Sequence, residues 1–129
     1  MEDEKQEFLF RLSVFEQQIR QLQQQINSVE EGMIELDSLH LGLDDLKNAD
    51  GKEIFAPVGR GIYAKAKLIS EDLTVDVGGR NFVKKTISET QEMIKKQVDK
   101  LQEIKKDLDN NLQEIGNEVE KVIGEAGKN

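Results

Sequence analysis

From Phe8 the apolar residues advance as Phe8, Leu12, Phe15, Ile19, Leu22, Ile26, Val29, Met33 and Leu36, in alternating steps of four and three. That spacing lines them along one stripe of an α-helix, and its persistence over about four heptads specifies a coiled-coil seam. The residues between are mostly Gln and Glu, which favour helix and stay solvated. The Gln-rich run from Gln17 to Gln25 keeps Ile19 and Leu22 in register, so it reads as a helix face rather than a low-complexity tract. Glu2, Asp3, Glu4 and Glu7 complement the positive end of the helix dipole.

A second series repeats the period: Ile87, Gln91, Ile94, Val98, Leu101, Lys105, Leu108, Leu112, Ile115, Val119, Val122 and Ala126. Only Gln91 and Lys105 are polar in it, and Ile104 flanks the latter. Thr86-Ile87-Ser88-Glu89 has the spacing of a capping box and marks the start of this helix. Gly124 and Gly127 predict a fraying end. At about 1.5 Å per residue, two helices of about 40 residues would each run roughly 60 Å. Two helices of equal length joined by one insert predict an antiparallel hairpin. The start of the first helix would then lie beside the end of the second, far from the insert.

The first seam predicts a break near its end. Its next position after Leu36 is His40, yet the leucines fall at Leu39, Leu43 and Leu46. A three-residue step of this kind is a stammer, which overwinds a coil locally. Asn48-Ala49-Asp50-Gly51 then carries turn chemistry that ends the helix.

The stretch Lys52–Thr86 does not read as helix. It holds the only proline, Pro57, the only tyrosine, Tyr63, and four glycines among short alternating runs. Ile54–Val58 is an apolar run that Pro57 confines to an edge or a strand terminus. After a turn at Gly59-Arg60-Gly61, Ile62, Ala64, Ala66 and Leu68 alternate with Tyr63, Lys65 and Lys67. Ser70-Glu71-Asp72 makes a second turn, Leu73, Val75 and Val77 alternate with Thr74 and Asp76, and Gly78-Gly79 predicts a tight hairpin back through Asn81–Lys85. The expected fold is therefore mainly α, a long antiparallel two-helix coiled coil with two β-hairpins inserted between the helices. Its parts are 1–50, 51–86 and 87–129.

Isolated hairpins are marginal in water. Both helices spend their apolar stripes on each other, so the hairpins need faces supplied by other subunits. Ile54, Val58, Ile62, Ala64, Ala66, Leu68, Leu73, Val75, Val77, Phe82 and Val83 are the expected assembly residues.

Composition narrows the function. Hydrophobic residues are 36% and charged residues 34%, a balance that suits an elongated, partner-dependent chain better than a compact core. The net charge of −8 argues against nucleic acid as the main partner, because binding phosphates relies on Lys and Arg. The absence of cysteine excludes disulfides, thiolate zinc sites and a cysteine nucleophile. The acidic start, Met1-Glu2-Asp3-Glu4, is the opposite of a signal peptide's basic region, and no apolar run spans a bilayer. A cytoplasmic protein without membrane contact is expected.

No catalytic set emerges from one histidine and no cysteine, so an enzyme is not expected. Asp37, His40 and Asp44 have helical spacing open to a metal, but one imidazole and two carboxylates on a single helix are a weak donor set. They read as a seam-edge histidine beside acids, and no metal or cofactor is expected. Gly59-Arg60-Gly61 lacks the Gly-Lys-Ser/Thr of a phosphate loop and reads as a turn. The lysine pairs at Lys84, Lys95 and Lys105 have acidic neighbours for intrahelical pairing.

The central sequence, from Ala56-Pro57-Val58-Gly59-Arg60-Gly61-Ile62-Tyr63-Ala64-Lys65-Ala66 through Val75-Asp76-Val77-Gly78-Gly79 to Val83-Lys84-Lys85-Thr86, resembles the prefoldin alpha subunits, and the likeness extends over essentially the whole chain. Two hairpins rather than one point to the alpha class. The resemblance implies an archaeal-type co-chaperone in which two alpha and four beta subunits join through a β platform. Its coiled-coil tips would hold non-native polypeptides and pass them to a group II chaperonin without ATP. Client contact would then fall at the open end of the helical hairpin, on Phe8, Leu9, Phe10, Leu12, Val122 and Ile123. Among these, Leu9, Phe10 and Ile123 lie off the seam and lack an intramolecular partner. The competing reading is a structural or tethering coiled coil oligomerised by its β insert.

Overall fold

A computed structural model describes residues 2–127. Helix α1 runs Glu2–Asp44 and α2 runs Ile87–Gly127. Between them in sequence lie strands β1 (Glu53–Gly59), β2 (Ile62–Lys67), β3 (Leu73–Asp76) and β4 (Phe82–Lys85). The strands form two separate antiparallel pairs, β1 with β2 and β3 with β4. The chain divides into two compact units. One contains the residues up to Ile34 and those from Asp99 onward, and the other is Glu35–Val98.

In the first unit the two helices run antiparallel. Glu30 Oε1 on α1 lies 3.2 Å from Lys105 Nζ on α2, Gly32 lies against Leu101, and Phe8 shares a groove with Val122. The seam residues Leu12, Phe15, Ile19 and Leu22 are half-buried, and Ile26 and Val122 are buried. Lys105 keeps its seam position, half-buried, while neighbouring Ile104 is exposed. The period of the helix, rather than the greater apolarity of Ile104, decides which side chain faces the partner helix. The two side chains of the Glu30–Lys105 pair remain 45% and 37% exposed, so it contributes no more than about 1 kcal/mol.

In the second unit the core consists of Leu43, Ala49, Ile87, Ile94 and Val98, with the polar side chains of Thr90 and Gln91 buried among them. Thr90 Oγ1 donates to the Thr86 carbonyl at 2.8 Å. Gln91 Nε2 donates to the His40 carbonyl at 3.1 Å and to Asp44 Oδ1 at 2.7 Å. Thr86 caps α2, because its hydroxyl accepts the Glu89 N–H at 3.1 Å and donates to the Glu89 carboxylate at 3.1 Å.

Three local expectations are corrected. The seam does not slip at Leu39, which is 52% exposed, whereas His40 is half-buried and Leu43 is buried. The strict period of four and three continues because Leu43 serves either phase, and Gln91 gives the turn at His40 a polar partner. Helix α1 ends at Asp44, earlier than Asn48-Ala49-Asp50-Gly51 suggests. Tighter bonds from Asp45, Leu46 and Lys47 to the carbonyls three residues back carry the chain onward. Acidic Asp44 and Asp45 oppose the negative end of the helix dipole, which disfavours a further α turn. Finally, Gly78-Gly79 is not a two-residue hairpin turn. Val77 donates to the Asn81 carbonyl at 2.9 Å, Asn81 donates to that of Gly78 at 3.0 Å, and Arg80 takes a φ of 63°. Asp76 Oδ1 accepts from the Gly78 N–H at 2.9 Å and opens this longer loop.

Candidate binding surfaces

At the end of the first unit, the α1 start and the α2 end present two sets of apolar side chains. Phe8 and Leu12 are half-buried and Val122 is buried, so the seam occupies them. Leu9, Phe10 and Ile123 are exposed, Phe10 to 70%. The groove holding Phe8 and Val122 is edged by Glu4, Glu7, Arg11 and Glu125. Val14, one turn beyond Phe10, is also exposed and extends the patch. Its spacing of four from Phe10, off the seam, is the sequence signal for it.

In the second unit the β1–β2 hairpin turns through Arg60-Gly61, with φ of 51° and 79°. Positive φ at both central residues is the twist that suits a two-residue hairpin. The register pairs Ile54 with Ala66 and Ala56 with Ala64, then Phe55 with Lys65 and Pro57 with Tyr63. Directly paired residues share a face, so the two faces differ. One carries Ile54, Ala56, Ala64 and Ala66, and the other carries Phe55, Pro57 and Tyr63. Between Pro57 and Gly59 the register shifts, leaving Val58 as an extra, exposed residue. Pro57 is tolerated inside β1 because each strand of a two-stranded sheet is also an edge.

Of the expected assembly residues, Ile54, Ala66, Leu68, Leu73 and Val75 are half-buried, while Val58, Ile62, Ala64, Val77, Phe82 and Val83 are exposed. Phe82 pairs with Asp76 and Val83 with Val75, which places these two neighbours on opposite faces of the second hairpin. Phe55 and Tyr63 were not among the expected residues. They are 69% and 61% exposed and together line one shallow hollow. Only the strand register reveals that they meet.

Asp37 is exposed, and Asp44 is engaged by Gln91 and by Lys47, whose Nζ lies 3.3 Å from its carboxylate. The Gln91 hydrogen bond, then the Lys47 contact, holds the Asp44 carboxyl below its ordinary value. Among the described residues no cluster of three His, Cys, Asp or Glu side chains could hold a metal. No helix among them is long and apolar enough to cross a membrane.

A family model described as "Prefoldin subunit" matches residues 15–126. The chain belongs to the prefoldin family. Prefoldin subunit alpha of Methanobrevibacter smithii is 37% identical over 89 residues, covering 68% of this chain and 61% of that one. Prefoldin subunit alpha of Methanosphaera stadtmanae is 27% identical over 96 residues, covering 73% and 70%. The match thus spans about three fifths of the Methanobrevibacter smithii relative. A chain of filamentous PFD from Methanocaldococcus jannaschii has the same fold, with a TM-score of 0.79, 23% identity, and coverage of 88% of this chain and 95% of that one.

Proposed function

We propose that this chain is an ATP-independent holdase subunit of the prefoldin alpha class. Two copies join four beta-type subunits through the hairpins, hold non-native polypeptides at the helix ends, and release them to a group II chaperonin in the cytoplasm. The observation that carries this reading is the coincidence of Leu9, Phe10 and Ile123, all exposed, at the one end where Phe8 and Val122 share a groove. A monomer gains nothing from leaving three large apolar groups in water there, whereas unfolded chains expose the apolar segments such groups would cover. Several such ends in one assembly raise the effective concentration of the second contact after the first, so weak single contacts suffice.

Sizing the chain alone and with a beta-type partner, together with a turbidity assay on a denatured enzyme without nucleotide, tests the proposal. Co-migration and suppressed aggregation are expected. Failure to co-migrate would overturn the assembly, and co-migration at fixed stoichiometry with no suppression would mark a structural tether instead.

A further inference from the structure

We infer that the Phe55–Tyr63 face of the β1–β2 hairpin is a docking surface for an acidic protein segment carrying apolar side chains, separate from the client end. The hairpin is a cationic island on an acidic chain. Residues 52–68 hold Lys52, Arg60, Lys65 and Lys67 against the single acid Glu53, a net charge of +3 where the whole chain carries −8. The register gathers Phe55, Pro57, Tyr63, Lys65 and Lys67 on one face together with Glu53, which pairs with Lys67, and the turn and the residue before β1 add Arg60 and Lys52 to the charge of the hairpin. Among the described residues, Lys65 is the one cation of this hairpin within ion-pair distance of a carboxylate, 3.8 Å from Glu53. Two large aromatics that are both more than half exposed and that line one hollow offer an apolar anchor, and the lysines beside them offer the charge.

The opposite face carries Ile54, Ala56, Ala64 and Ala66 and suits close packing of sheets. The aromatic face therefore stays available when the small-residue face is used for assembly. Lysines on edge strands also discourage indiscriminate pairing, but that role needs no exposed aromatic pair beside them.

The charge favours a protein over a nucleic acid. Each nucleic-acid strand presents a phosphate about every 3.4 Å and binds through many neutralised charges, whereas this face offers few cations beside a chain of −8. A short acidic segment with apolar side chains uses both features at once.

The chain has one tyrosine, Tyr63, and no tryptophan, so tyrosine fluorescence reports directly on this face. Acrylamide quenching of the full chain, alone and mixed with a beta-type partner whose tyrosines and tryptophans are replaced by phenylalanine, is measured with three probes. They are a peptide alternating glutamate and leucine, its lysine–leucine counterpart, and oligouridine. Only the glutamate–leucine peptide should protect Tyr63, and raised salt should weaken the protection. Its binding, read by anisotropy of a labelled peptide, should fall by about tenfold or more in Lys65→Glu/Lys67→Glu and in Phe55→Ser, with helix content unchanged. The inference is overturned if the glutamate–leucine peptide leaves Tyr63 equally quenchable, or if the lysine–leucine peptide or oligouridine protects it as well. It is equally overturned if Tyr63 is already shielded in the free chain or by the beta-type partner alone, because the face is then a subunit contact. Each of these readings is independent of whether the helix ends hold clients.

Discussion

Gln91 Nε2 on α2 donates to Asp44 Oδ1 on α1 at 2.7 Å, and the same amide nitrogen donates to the His40 carbonyl at 3.1 Å. Gln91 is 7% exposed, so a polar group sits buried in the seam with its donors satisfied. A buried polar contact of this kind fixes the register of one helix against the other at some cost in stability. Gln91→Ala removes both bonds and leaves a void, and should lower unfolding stability by about 1–3 kcal/mol. Gln91→Leu keeps most of the volume and should stay within about 1 kcal/mol of the parent or exceed it. Urea unfolding midpoints at fixed protein concentration check both values.

The same contact makes a pH prediction. Gln91, followed by Lys47, holds the Asp44 carboxyl below its ordinary value. A carboxyl lowered by folding contributes its full stabilisation above its unfolded pKa of about 3.9 and loses it as pH falls through the folded value. The stability gap between the parent and Asp44→Asn should therefore be present at neutral pH and close as pH drops below about 4. Unfolding midpoints for both proteins across that range measure it, and a gap that persists in acid contradicts it.

Gly32 interrupts the seam flank of α1, and a Cβ built there would lie 3.5 Å from Leu101 Cδ1, an ordinary contact. Gly32→Ala gains helix propensity without a clash. It should raise stability by about 1 kcal/mol, read from the same unfolding midpoints.

The long-period features were legible because they are local. A seam of alternating steps, a Thr-x-x-Glu cap and runs bounded by glycine each depend on a few neighbouring residues. What escaped depends on pairing. Phe55 belongs with Tyr63 only because Arg60-Gly61 turns with positive φ at both residues and Val58 bulges out of register. Within β2, Tyr63 alternates onto one face with Lys65 and Lys67, and only the register of β1 adds Phe55 and Pro57 to that face. The apparent slip at Leu39 reflects apolarity read without its partner. Opposite that turn lies Gln91, which bonds the His40 backbone carbonyl and the Asp44 carboxylate.

In the proposed function, exposed apolar groups at the helix ends capture clients while the hairpins build the complex. The most direct measurement replaces Leu9, Phe10 and Ile123 together with serine and follows light scattering of a denatured enzyme with the chain assembled on its beta-type partner. Sizing should show an unchanged assembly, while suppression of aggregation should be largely lost. Intact suppression by the assembled triple variant would contradict the account.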